Sequence, residues 1–153
     1  MTTNDLVEKL SGCRVFSRSG LLSVLAGMVS KSELDDLKRG TEDFEISANN
    51  RRTIFRMVSN SESNDSICGS VMTQDITEMV RNLQAYLNEY MGGSPNAHKW
   101  IILSCVFLYA IAQEPLHPKE VVNWGMEAGE YICPMRDDTE ASICRWCICR
   151  RPT

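Results

Sequence analysis

Histidine is nearly absent from this chain, with only His98 and His117 in 153 residues. A three-histidine metal triad and a His-Glu-x-x-His zinc helix are therefore excluded, and any histidine base for a Ser or Cys nucleophile is confined to two positions. Glycine is sparse, at nine residues, and neither a phosphate-cradling Gly-rich loop nor a Gly-x-Ser-x-Gly elbow occurs. Aromatics amount to 7%, and Trp146 alone stands among basic residues, so the stacking platforms of single-strand nucleic-acid binders are missing. The longest apolar run, Trp100 to Ala112, is interrupted by Ser104 and falls short of the roughly 20 residues that cross a bilayer, so no membrane span is expected. No catalytic constellation emerges from this inventory, and the chain is read as non-enzymatic.

Cationic excess is also lacking. Sixteen Lys and Arg against 20 Asp and Glu give a net charge of −4, which disfavours nucleic acid as a partner because such binding rests on many cationic contacts. The start, Met1-Thr2-Thr3-Asn4-Asp5, has neither the basic residues nor the apolar stretch of a secretory signal, so the expected location is intracellular, cytoplasmic or nuclear. In that setting the seven cysteines read as thiols or metal ligands rather than disulfides.

What is present points to a folded helical chain. Apolar residues at 43% and charged residues at 24% are ordinary for one globular domain spanning residues 1–153. A short helix follows Asn4 and ends at Ser11-Gly12, and Leu21 to Val29 carry a wide apolar stripe at helical spacing. Ser32 is the expected cap of a helix closed by Lys38-Arg39-Gly40, and Ser47 to Val58 form another. Residues 59–66, all Ser, Asn, Glu and Asp, read as a flexible loop. Thr73 caps the clearest helix, whose stripe runs Ile76, Met79, Val80, Leu83, Leu87, Tyr90 and Met91. Gly92 to Asn96 then allow only a tight reversal into an apolar helix from Ala97 to Gln113. Pro118 opens a further helix with Val121, Val122, Gly125, Ala128 and Ile132 inside, stopped by Cys133-Pro134. The predicted fold is all-α: a compact bundle of seven to eight helices around residues 97–113, with a Cys-rich tail at 133–153 and no convincing series of strands.

That tail holds the one constellation with chemical content. Cys133, Cys144, Cys147 and Cys149 could give zinc a tetrahedral thiolate shell, and Cys144-x-x-Cys147 is knuckle spacing, although only one knuckle is present. The competing reading makes them small apolar residues of a last helix from Thr139 to Arg150, with Cys144 and Ile148 inward and Cys149 well round the helix. The sequence favours the second, because Asp138 and Thr139 are good start residues and Glu140 to Arg151 contain no Gly or Pro; no cofactor is then required. Cys105 lies in the most apolar helix and reads as core, and His117 before Pro118 as a turn residue.

Two basic clusters are the candidate binding surfaces: Arg51, Arg52 and Arg56 on one helix, and Arg145, Arg150 and Arg151 at the tail. Val122-Asn123-Trp124-Gly125 resembles the Asn-Trp-Gly core of the first homology region of Bcl-2-type apoptosis regulators. In that family the motif precedes the central apolar helix and here it follows, so no residues are carried over. By elimination the sequence points to an interaction module with another protein as partner, an adaptor or regulatory accessory factor of viral or host kind. The alternative is a small zinc-binding, nucleic-acid-associated regulatory factor that uses the tail cysteines.

Overall fold

Local sequence sets most of the helices. In the computed structural model, which describes residues 2–40, 47–63, 67–92, 95–139 and 142–149, α1 (Thr3–Leu10) starts where the Thr2 amide donates to the Asp5 carboxylate at 2.6 Å. Helix α2 (Arg18–Gly27) is capped by the Ser17 hydroxyl and buries Leu21, Leu22 and Leu25. Helix α3 (Lys31–Arg39) is capped two residues before the expected position. Ser30, not Ser32, wins because Glu33 stands three residues on and accepts from the Ser30 amide at 3.0 Å while donating its own amide to Ser30. The same helix ends as predicted at Gly40, whose φ of 68° is the left-handed conformation that glycine tolerates.

Helix α4 (Ala48–Glu62), capped by Ser47, runs on through the first half of the segment expected as a loop. A run of Ser, Asn and Glu reports polarity rather than backbone, and here it forms the solvated last turns of a helix anchored upstream by Thr53, Ile54 and Met57. Residues 64–66 of that expected loop lie outside the described residues. Helix α5 (Thr73–Tyr90) buries the predicted Ile76, Met79, Val80, Leu83 and Leu87 stripe, but its cap position is Met72. The Thr73 hydroxyl sits buried without a hydrogen-bond partner, and the Thr73 amide donates to Arg14 O at 3.1 Å. Helix α6 (Pro95–Val106) packs on α5 across a short connection, so the two run antiparallel. From His98 to Leu108 every side chain is buried except that of Ile101, which is half-buried, as the central apolar helix requires.

The chain is thus mostly helical, but not the all-α bundle of seven or eight helices that periodicity suggested. Among the described residues there are six α-helices and two small antiparallel sheets. Strand β1 (Val15–Ser17) pairs with β2 (Ser70–Met72), joining the entrances of α2 and α5. Strand β3 (Gly125–Glu127) pairs with β4 (Glu130–Ile132) where a helix after Pro118 was expected. Strands of three residues are too short to display a two-residue period. The β3–β4 turn is Ala128-Gly129 with φ of 52° and 81°, the primed geometry usually marked by Asn-Gly, so its usual signal is absent.

The central helix ends in an unusual way. Residues Phe107–Ala112 form a π-helical turn that closes at Gln113 in the left-handed conformation. Its terminal carbonyls are claimed by Arg18, whose Nε donates to Ala110 O at 2.8 Å and whose Nη2 donates to Ile111 O, while Nη1 reaches Cys68 O at 2.8 Å. One guanidinium therefore supplies donors to backbone acceptors from two separate segments. Elsewhere the Lys99 ammonium, only 2% exposed, meets the Glu33 carboxylate at 3.0 and 3.1 Å, tying the start of α3 to α6.

Candidate metal centre

The chain after Gln113 fully buries few of its apolar residues, and Val121, Met126, Ile132 and Met135 stay exposed. Among its described residues the buried ones are Pro115, Leu116, Cys133, Trp146, Cys147 and Cys149, so cysteines supply half of that small core. The expected final helix from Thr139 to Arg150 does not form among the described residues 142–149. A single 3-10 turn, Ile143–Trp146, starts at Ser142, whose hydroxyl accepts from the Cys144 amide at 3.1 Å. Cys147 then leaves in extended conformation, with φ of −86° and ψ of 140°. A helix of this length is marginal unless a broad face packs. Cys147 and Cys149, two apart on this non-helical stretch, both turn inward, whereas one helix would have separated them.

The break brings the tail cysteines together. Cys133, Cys144, Cys147 and Cys149 line one cavity of about 60 Å³, with His117 and Arg136 beside them and Pro115, Val122, Trp124 and Met135 as its apolar wall. Three of the four are buried and Cys144 is half-buried. Two further bonds seat the wall: the Leu116 amide donates to Cys147 Sγ at 3.4 Å, and the Trp124 indole donates to His117 O at 3.1 Å. Arg136 Nη1 donates to Cys149 O at 3.2 Å. On the side toward α5, Trp146 packs edge-on against Tyr109 at 5.7 Å, tying the 3-10 turn to the π-helical turn.

Electrostatics register the crowding of sulfur. Burial, then the neighbouring Cys147, and after it Cys133 and Cys144 push the Cys149 thiol upward. Burial pushes Cys105 up to about 12, with Cys147 adding to it, which suits the core role read for that residue. Burial lowers the pKa of His117, which favours its neutral imidazole. Among the described residues no three His, Cys, Asp or Glu side chains already stand in metal-holding geometry. The sulfurs ring a cavity rather than a point.

The basic clusters meet a different fate. Arg51 Nη1 donates to Leu37 O at 2.5 Å, Arg56 pairs with Glu114 at 2.6 Å and lies over the Phe107 ring, and Arg52 is exposed. Arg145 pairs with Glu78 at 3.1 Å, and Arg150 and Arg151 lie outside the described residues. A larger groove of about 310 Å³ lies behind the 3-10 turn, between it and α5, but it is open to solvent and its Arg145 already has that partner. The candidate that sequence reasoning missed is His117. Its position beside the cysteines comes from the chain folding back after the π-helical turn, which no spacing in the sequence foretells.

Residues 41–151 match the family described as "Uncharacterized protein conserved in archaea (DUF2115)". The chain belongs to this family. It is also similar to the UPF0305 protein of Methanocaldococcus jannaschii, 28% identical over 87 residues, a match covering 50% of this chain and 51% of that protein. The chain thus spans about half the length of the curated relative it matches. No solved structure matches it. Membership of a family conserved in archaea overturns the expectation of a viral or host accessory factor, and the adaptor and nucleic-acid-regulator readings built by elimination fall with it. Among the described residues no helix is long and apolar enough to cross a membrane.

Proposed function

We propose that the C-terminal part of this chain is a zinc-holding unit in which the tail cysteines bind one ion and thereby close residues 115–149 onto the helical body. The observation that carries the reading is the gathering of Cys133, Cys144, Cys147 and Cys149 around one small cavity by a chain that breaks its helix at Cys147. At about 60 Å³ the cavity suits an ion and is far below the roughly 300 Å³ at which organic ligands begin to fit. Thiolates with an imidazole beside them form the donor set of a zinc or other soft-metal site.

Energetics support the same reading. The segment from 115 to 149 fully buries six described residues, with Val122, Trp124, Tyr131, Ile143 and Ile148 partly buried against the core, a thin apolar base for ordering a stretch of this length. A structural zinc ion supplies about 10–16 kcal/mol of apparent binding energy, and that energy becomes folding energy where the site exists only in the folded state. The Leu116 amide on Cys147 Sγ is the outer-shell bond that favours a thiolate and holds it in place.

The test is the metal content of protein purified under reducing conditions without added metal. Zinc near one per chain is expected, together with loss of zinc and rapid protease cleavage between residues 117 and 139 in Cys147→Ser. Metal-free protein whose protease pattern is unchanged by zinc, by chelator and by Cys147→Ser would refute the reading.

A further inference from the structure

Four cysteines and one histidine offer five donors, while zinc in a structural site takes four. We infer that the ion is held by Cys133, Cys147, Cys149 and His117, with Cys144 as an outer thiol at the mouth of the site. The inference rests on the zinc reading above and specifies its donor set.

Burial separates the four thiols. Cys133, Cys147 and Cys149 are 8%, 7% and 5% exposed, whereas Cys144 is half-buried on the single 3-10 turn at the cavity edge. His117 is held in place from both sides. The amide of its neighbour Leu116 is docked on the sulfur of Cys147, and its own carbonyl is fixed by the Trp124 indole. The stretch that positions the imidazole is thus anchored to one of the ligand sulfurs, whereas Cys144 is anchored by its amide to Ser142.

Charge decides in the same direction. A divalent ion with four thiolates carries two net negative charges, and with three thiolates and a neutral imidazole only one. Burying net charge is costly unless it is paired. The cation lining the cavity is Arg136, which is held there through Cys149 O and is shared at 3.7 Å with the exposed Asp138. One guanidinium matches the smaller charge and leaves the larger one half uncompensated.

X-ray absorption on the zinc-loaded protein reads the donor set directly, and a shell of three sulfurs and one nitrogen is expected. Losing an outer-shell partner already weakens metal binding about 10–100-fold, so His117→Ala should lose ~100-fold or more in chelator competition, while Cys144→Ser stays within about tenfold of the parent. His117→Cys should restore tight binding with an all-sulfur shell, which separates a lost ligand from a damaged fold. A four-sulfur shell in the parent, with zinc lost in Cys144→Ser and kept in His117→Ala, overturns the donor set and leaves the zinc reading standing. Protein that binds no zinc in any form overturns both.

Discussion

The Lys99–Glu33 pair should respond asymmetrically to the loss of either partner. Lys99 is 2% exposed, whereas the Glu33 side chain is 31% exposed. Removing Glu33 leaves an ammonium inside the protein with no counter-charge, a situation that costs about 3–5 kcal/mol. Glu33→Ala also deletes the capping box at the start of α3, since Glu33 accepts from the Ser30 amide. Removing Lys99 is milder: Lys99→Met keeps the apolar stem in place, and the Glu33 carboxylate can turn to water and still serve Ser30, so about 1 kcal/mol or less is expected. For a chain of this size 1 kcal/mol shifts the melting temperature by roughly 2–4 °C. Glu33→Ala should therefore melt roughly 6–20 °C below the parent, and Lys99→Met within about 4 °C of it, by circular dichroism at neutral pH. The double variant should recover part of the Glu33→Ala loss. Equal losses in the two single variants would refute the argument, because they would place both charges in the same environment. Acid titration gives an independent check. Burial raises the Glu33 carboxyl, but the Ser30 amide and Lys99 outweigh it and hold the group below its ordinary 4.5. A carboxylate lowered in the folded state contributes stability above its unfolded value, and that contribution is lost as pH falls through the lower folded value. The parent should lose stability below about pH 4.5 more steeply than Glu33→Gln does.

Other substitutions test other joints of the fold. Arg18→Met leaves the π-helix carbonyls of Ala110 and Ile111 without their guanidinium, costing about 1.5–3 kcal/mol and accelerating amide exchange at Gln113 and Glu114; unchanged exchange would show that Arg18 does not hold this turn. Ala128→Gly relieves a positive φ in the β3–β4 turn and should stabilise by up to about 1 kcal/mol, whereas a loss would contradict the turn geometry. Reversing Arg51, Arg52 and Arg56 to Glu sets a carboxylate against Glu114 and removes the bond to Leu37 O, so the urea midpoint should fall by an amount worth about 1–2 kcal/mol; an unchanged midpoint would return these residues to a free surface. Ile102→Ala, at a position with no exposure, should cost about 2–5 kcal/mol, and a melting temperature within a degree of the parent would remove it from the core.

Several helices were legible in the sequence because a helix displays its own evidence. The 3-4 spacing from Ile76 to Leu87, the all-round apolarity of Trp100 to Ile111 and the Gly40 stop are local patterns, and α5, α6 and the end of α3 follow from them. Caps were legible less well. Ser30 and Ser32 are both plausible until the returning bond from Glu33 chooses, and Thr73 loses the cap position when its amide is taken by Arg14 O just before β1.

The sequence by itself determined the helical majority, the buried course of α6, the core role of Cys105 and the identity of four tail thiols able to act together. Tertiary structure alone decided that they do share a cavity. Whether residues 139–149 form one helix depends on what lies opposite them, and that partner is the returning segment 115–117 together with Cys133, distant in sequence and without periodicity. The same dependence hid β1 and β2, whose pairing joins residues about fifty apart, and it hid His117, whose neighbours are set by the π-helical turn and its Arg18 clasp. A pattern within one segment reports which face that segment must bury; which other segment covers it is settled only when the whole chain packs.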